Sequence, residues 1–109
     1  MIKPRVYISG PIEHYDLEER KNTFRTMARR IRKRGYTAVN PFNNRLHRSG
    51  RASASWREHM REDIIMLLKC QYILMLDNWE LSKGCKLELD VATSCGIPVL
   101  FSDKDLMLR

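Results

Sequence analysis

Apolar residues arrive along this chain in short blocks, separated by longer stretches in which they recur every three or four positions. That switching between two periods sets the first expectation. The block at residues 5–9, with Val6, Tyr7 and Ile8, stops at Gly10-Pro11 and reads as a buried strand ending in a turn. Asp16 is placed to cap a helix in which Leu17, Phe24, Met27, Ala28 and Ile31 recur at helical spacing, and Gly35 is placed to end it. Residues 36–40 form a second strand, stopped by Pro41. Residues 42–54 are rich in Asn, Arg and Ser and read as a long polar loop, of the kind that often carries function.

Ser55 then caps a helix from Trp56 to about Lys69, whose inner face is expected to be Trp56, Met60, Ile64, Leu67 and Leu68. The continuous apolar run at 71–76 suits a strand buried on both faces of a parallel sheet. After a loop at 77–81, Ser82 or Lys83 opens a third helix through Leu87, Val91 and Cys95, closed by Gly96, and residues 97–101 make a fourth strand. Strand and helix alternate throughout. The order predicts an α/β fold: an open parallel sheet of four or five strands with helices on both faces, a three-layer α/β/α sandwich of the Rossmann or flavodoxin kind.

In such folds a ligand sits beyond the carboxyl ends of the strands. Those ends carry Ser9, Gly10, Pro11 and Ile12, then Asn40-Pro41-Phe42, then Asp77, Asn78 and Trp79 with the following helix start, and Ser102-Asp103. They are expected to converge on one cleft. At 109 residues the chain is read as a single domain, 1–109, with no internal repeat and no Gly/Ser linker.

Charge is unevenly placed. Residues 1–61 hold 15 basic and 5 acidic side chains, while residues 62–109 hold 5 and 8, within an overall net charge of +7. The first half is therefore either a set of solvated helix faces or a basic surface turned toward an anion, a nucleic acid or a phosphorylated small molecule. The 3 cysteines, Cys70, Cys85 and Cys95, form no Cys-x-x-Cys pair and make a poor disulfide framework, so a reduced cytoplasm is expected. The longest apolar run, residues 64–68, is far short of the ~20 needed to span a bilayer, and residues 1–5 run into a strand without an apolar signal core. No membrane association is expected. His14, His47 and His59 lack metal-ligand spacing and read as loop or surface residues, so no metal and no cofactor are called for.

Neither Gly-x-Gly-x-x-Gly nor Gly-x-x-x-x-Gly-Lys-Ser/Thr occurs, which argues against a conventional dinucleotide enzyme and a P-loop NTPase. The segment from Ser82 to Lys86 still offers free N–H groups, a hydroxyl and the flexible Gly84 at a helix start, either as an anion site or as a plain cap. Glu88 lies within the first two turns of that helix between Leu87 and Leu89. It is either a partly buried carboxylate in the cleft or an exposed one favoured by the helix dipole. Asp63, just before the run at 64–68, is either a buried acid or a face residue bridging to Arg57 or Arg61.

Taken together, these residues resemble the nucleoside 2-deoxyribosyltransferase superfamily. The resemblance rests on Tyr7-Ile8-Ser9-Gly10-Pro11, Asn40-Pro41, Asp63, and Ser82-x-Gly84-x-x-x-Glu88-Leu89-x-x-Ala92 followed by Gly96-Ile97-Pro98-Val99. The Trp79-Glu80-x-Ser82-x-Gly84-Cys85 variant is most similar to its small, often phage-associated members, the DUF4406 domains. It implies that Glu88 is a nucleophile attacking the anomeric carbon, that Asp63 protonates the departing base, and that the Tyr7 hydroxyl orients Glu88. It also implies a 5′-phosphate pocket at Ser82 and Gly84, with Trp79 either stacking on the base or covering the sheet end. Members commonly borrow residues from a neighbouring subunit, so a homodimer or higher homo-oligomer is expected, with Ser102 and Asp103 the only obvious replacements here.

Two functions follow. The first is a nucleotide N-glycosidase or 2-deoxyribosyltransferase acting on nucleoside or deoxynucleoside 5′-monophosphates. The alternative is a non-catalytic nucleotide-binding or basic nucleic-acid-binding module on the same fold.

Overall fold

The computed structural model describes residues 2–109. Four strands, β1 (Arg5–Ser9), β2 (Thr37–Val39), β3 (Tyr72–Met75) and β4 (Val99–Leu100), form one sheet in the order β2-β1-β3-β4, every pair parallel. The register sets Tyr7 opposite Val39 on one side and Ile73 on the other. Helix α1 (Leu17–Lys33) connects β1 to β2, α3 (Trp56–Leu68) leads into β3, and α4 (Lys83–Ser94) leads into β4. Because the chain steps from β1 to one side and then returns to the other, α1 covers one face of the sheet, and α3 and α4 cover the opposite face. No helix of the described residues is long and apolar enough to cross a membrane.

The strand period of two sorts side chains between these faces. Val6, Ile8, Leu74 and Leu76 pack with Phe24, Ala28 and Ile31 of α1. Tyr7, Ile73 and Met75 point the other way, into a second core with Leu67, Cys85 and Ala92. Ser9 shares Tyr7's face by the same alternation. The helix starts follow the sequence signals: Asp16 accepts from Glu18 N at 2.9 Å, Ser55 and Glu58 form a capping box, and Ser82 accepts from Cys85 N at 3.2 Å. Each such cap stabilises its helix by about 1 kcal/mol.

The structure departs from expectation in three places. First, the 42–54 segment is not a featureless loop. It holds a 3₁₀ turn (Pro41–Asn43) and a short helix, α2 (Arg45–Arg48), capped by Asn40 and Asn44 respectively. Second, the inner face of α3 is Met60, Asp63 and Leu67, while Leu68 is 51% exposed and Trp56 and Ile64 are half-buried. Third, α4 buries Cys85, Glu88 and Ala92 and leaves Leu87 and Cys95 exposed. In both helices the buried stripe runs i, i+3, i+7, and in both a carboxylate sits in the middle of it.

Candidate active site

Between β1 and β3 the strand order reverses direction, and a cleft of about 680 Å³ opens there beyond the strand ends. That is where the fold places a ligand, and the volume lies within the ordinary range for small-molecule sites. Gly10, Pro11 and Ile12 form its floor as the chain leaves β1. Gly10 suits this close approach, because a Cβ there would come within 2.7 Å of Leu76 Cδ1 and 3.0 Å of Phe24 Cζ and would make those side chains shift. The loop is pinned from below by Arg20, whose Nε donates to the Pro11 carbonyl at 2.7 Å.

Glu88 projects from α4 across the end of β1. Tyr7 donates its hydroxyl to Oε2 at 2.5 Å, and Ser9 donates to Oε1 at 2.7 Å. Glu88 is 5% exposed and no cation among the described residues pairs with its carboxyl. Burial therefore pushes its pKa up to about 7, against the pull of the Tyr7 and Ser9 hydroxyls, and the charge of Asp63 adds to the rise. Tyr7 is itself pushed well above its ordinary value by burial and by the Glu88 charge, so its oxygen keeps its hydrogen and acts as the donor.

Asp63 enters the same cleft from α3 and is 8% exposed. It makes no bridge to Arg57 or Arg61; its Oδ1 accepts instead from Asn44 Nδ2 at 2.8 Å. Burial raises its pKa to about 6, while Asn44 and the nearby His59 oppose the rise. Between about pH 6 and 7 the pair therefore carries one proton, mainly on Glu88, and protonation of Asp63 favours ionisation of Glu88. One acid and one carboxylate in a single cleft suit acid-assisted nucleophilic displacement.

The rim brings Ser82, Lys83 and Gly84 to the cleft at the start of α4. Gly84 lets this end of α4 approach α3, with Met60 Sδ only 3.3 Å from where its Cβ would stand. Lys83 lies over the Trp56 ring at 4.6 Å from the centroid. Cys85, buried behind them, has its thiol pushed up by burial, which disfavours the thiolate.

Several residues expected at this cleft lie elsewhere. Asp77 is exposed and lines no part of it. Trp79 packs on the second core, with its ring 6.3 Å from that of Phe101, and so covers the sheet end. The cause is Asn78, whose left-handed φ of 68° turns the chain away after β3. Asn40 accepts from Phe42 N at 3.0 Å and caps a turn, outside the cleft lining. Asp103 is buried against Arg30 and Arg34, so it and Ser102 do not reach the cleft either.

Conversely, the cleft contains His47 and His59, which read from the sequence as loop or surface residues, and Trp56, which read as part of the inner face of its helix. Phe42, His47 and His59 form a continuous wall, with ring centroids 5.7 and 4.7 Å apart, and Trp56 joins the lining. No group of His, Cys, Asp and Glu among the described residues is arranged to hold a metal ion. Of the 15 basic residues in the first half, Lys21 alone lines the cleft; Arg25, Arg29 and Arg32 face solvent, and Arg30 pairs with Asp103.

Among solved structures, the fold is similar to a 2-deoxyribosyltransferase from Bacillus psychrosaccharolyticus, with a TM-score of 0.62 at 19% identity over 96% of this chain and 77% of that one. At that identity the likeness establishes a shared nucleoside 2-deoxyribosyltransferase-like fold. No curated protein matches the chain. The model of the domain of unknown function DUF4406 matches residues 4–101, nearly the whole sheet with its helices, and the chain belongs to that family.

Proposed function

We propose that this protein is a nucleotide N-glycosidase or 2-deoxyribosyltransferase, acting on nucleoside or deoxynucleoside 5′-monophosphates through a covalent glycosyl intermediate on Glu88. The observation that carries this reading is the Glu88 carboxyl, held at both oxygens by Tyr7 and Ser9 and facing a cleft shared with Asp63.

In the reacting state Glu88 is ionised and Asp63 protonated, the less populated of the pair's two one-proton forms. A Glu88 oxygen bonds to C1′ of the sugar as the C1′–N bond breaks, and the bond's electron pair passes to the base nitrogen. Asp63 delivers its proton to the base, so that a neutral molecule departs. Water, or a second base, then attacks C1′, Asp63 takes up the proton released, and Glu88 leaves as a carboxylate. The fixed hydroxyls of Tyr7 and Ser9 keep the carboxylate aimed through both steps without a solvent shell. Ser82 supports a 5′-phosphate on the substrate: its oxygen accepts from Cys85 N, which leaves its hydrogen and the first N–H groups of α4 for an anion.

Incubation with a panel of ribo- and deoxyribonucleoside monophosphates, with and without an added free base, is expected to yield free base or exchanged nucleotide. Glu88→Ala is expected to abolish it. Absence of both products, or full activity in Glu88→Ala, would sink the reading.

A further inference from the structure

Asn44 is 1% exposed, and its side-chain amide is fully committed. Oδ1 accepts from His47 N at 3.0 Å as the cap of α2, which fixes the other end of the amide as nitrogen. Nδ2 lies 2.8 Å from Asp63 Oδ1 and 3.1 Å from His59 Nδ1. Beyond the ring, His59 Nε2 is 2.9 Å from the Ala52 carbonyl. A carbonyl only accepts, so Nε2 carries the ring hydrogen and Nδ1 is an acceptor. An amide nitrogen has two hydrogens, and here two acceptors stand in reach, one for each. The directions of all four hydrogen bonds are thereby determined.

We propose that Asn44 is a positioning residue that decides which oxygen of Asp63 holds the proton and ties that carboxyl to the ring of His59. A proton on Oδ1 would meet an N–H pointing at it, so it resides on Oδ2, which has no hydrogen-bond partner among the described residues. The acid is thus presented from one oxygen, in one direction. A second proton on His59 would set Nδ1–H against the Asn44 N–H, and the amide would have to give up either the α2 cap or Asp63. The other groups facing Asp63 are Glu62 on its own helix, Glu88 from α4 and Tyr7 from β1, with His47 of α2 stacked on the His59 ring. None of them donates to Oδ1.

The consequence for turnover rests on Asp63 being the acid of the proposed function, but the arrangement itself can be tested without substrate. In the parent chain, the Asn44 side-chain amide resonances are expected to respond at the Asp63 carboxyl midpoint in a ¹³C and ¹⁵N NMR titration, and the His59 nitrogens to report the Nε2–H tautomer. Asn44→Asp keeps the cap acceptor and the side-chain shape, removes both donors and adds a like charge beside Asp63. It is expected to move the Asp63 midpoint upward by about one pH unit or more. Asn44→Ser, which caps but supplies no amide donor, is expected to move it in the same direction. With a substrate in hand, the acidic limb of the pH–rate profile, near pH 6, should move with it. An Asn44 amide that does not sense Asp63 in the parent, an Nδ1–H tautomer, or an unmoved midpoint in either folded variant would overturn the proposal. A chain that turns over no nucleotide but shows these shifts would refute the proposed function and leave this inference standing.

Discussion

Glu88 and Asp103 are equally buried, each 5% exposed, and they lie on opposite faces of the sheet. Asp103 follows β4 on the α1 side, where Arg34 Nε donates to Oδ2 at 3.1 Å and Arg30 Nη2 stands 3.1 Å from Oδ1. Its countercharge is part of the protein. Glu88 has only two neutral hydroxyls, and burial has raised its pKa to about 7. Asp63 beside it is likewise held by an amide. A buried carboxylate that is matched by guanidinium groups fastens a chain segment, here the tail after β4 to α1. One that is left without a cation holds a proton near neutrality, and under the proposed function its countercharge arrives with the substrate, as the positive character that develops at C1′.

The largest effect that would separate the two sites is on turnover. Glu88→Gln is expected to lower base release by on the order of 10³-fold or more, since the amide cannot form the glycosyl bond. Asp103→Asn is expected to stay within about twofold of the parent in the same assay. Comparable losses in both would erase the distinction. The pH dependence of the parent sharpens it further: under the proposed function turnover needs Glu88 ionised and Asp63 protonated, so the profile is expected to be a bell whose limbs reflect the pair near pH 6 and 7.

Stability should divide the sites next. Because the Glu88 pKa rises on folding from 4.5 to about 7, its contribution is fully present below about pH 4.5 and is lost as pH climbs through 7. Glu88→Gln escapes that loss. Urea unfolding is expected to find the variant equal to the parent near pH 4.5 and more stable by about 3 kcal/mol at pH 8. Asp103→Asn is expected to be destabilised by about 2 kcal/mol at both pH values, a figure reduced for the partial exposure of Arg30 and Arg34. A Glu88→Gln variant that is less stable than the parent at pH 8 would show that the hydroxyl contacts outweigh desolvation.

The frame of this molecule is legible in its sequence because its signals are local. The strand blocks, the caps at Asp16, Ser55 and Ser82, and the parallel alternation all lie within a few residues of what they determine. The helix faces are less legible for a physical reason. Counting apolar residues alone draws Leu68, Leu87 and Cys95 inward, whereas Asp63 falls three after Met60 and four before Leu67, and Glu88 three after Cys85 and four before Ala92. Reading those intervals without regard to polarity would have placed both carboxyls inside. The Asn44–Asp63 contact spans 19 residues and the Phe42–His47–His59 wall joins three segments, so no periodicity carries them. Asp77 misleads, and Trp79 takes the second of its two expected roles, because the rule about strand ends is topological and one left-handed residue, Asn78, redirects the chain.

The smallest expected effect concerns the positive potential that the cleft does possess. Glu88 lies in the second turn of α4, beyond the first turn in which a helix N-terminus favours negative charge, so that end of the helix does little for the carboxylate. It remains available to a ligand, with the Ser82 hydroxyl and Lys83 at the rim. Ser82→Ala removes the bond to Cys85 N and is expected to cost about 1 kcal/mol in urea unfolding, with little dependence on pH. If Ser82 were only a cap, KM would change alike for a nucleoside and its 5′-monophosphate. If the helix end supplies the site's missing countercharge to a phosphate, KM for the monophosphate rises severalfold while that for the nucleoside stays fixed. In that case the cation that Asp103 finds in Arg30 and Arg34 has a weaker counterpart on the Glu88 side, directed at the substrate's phosphate and leaving the carboxylate unpaired.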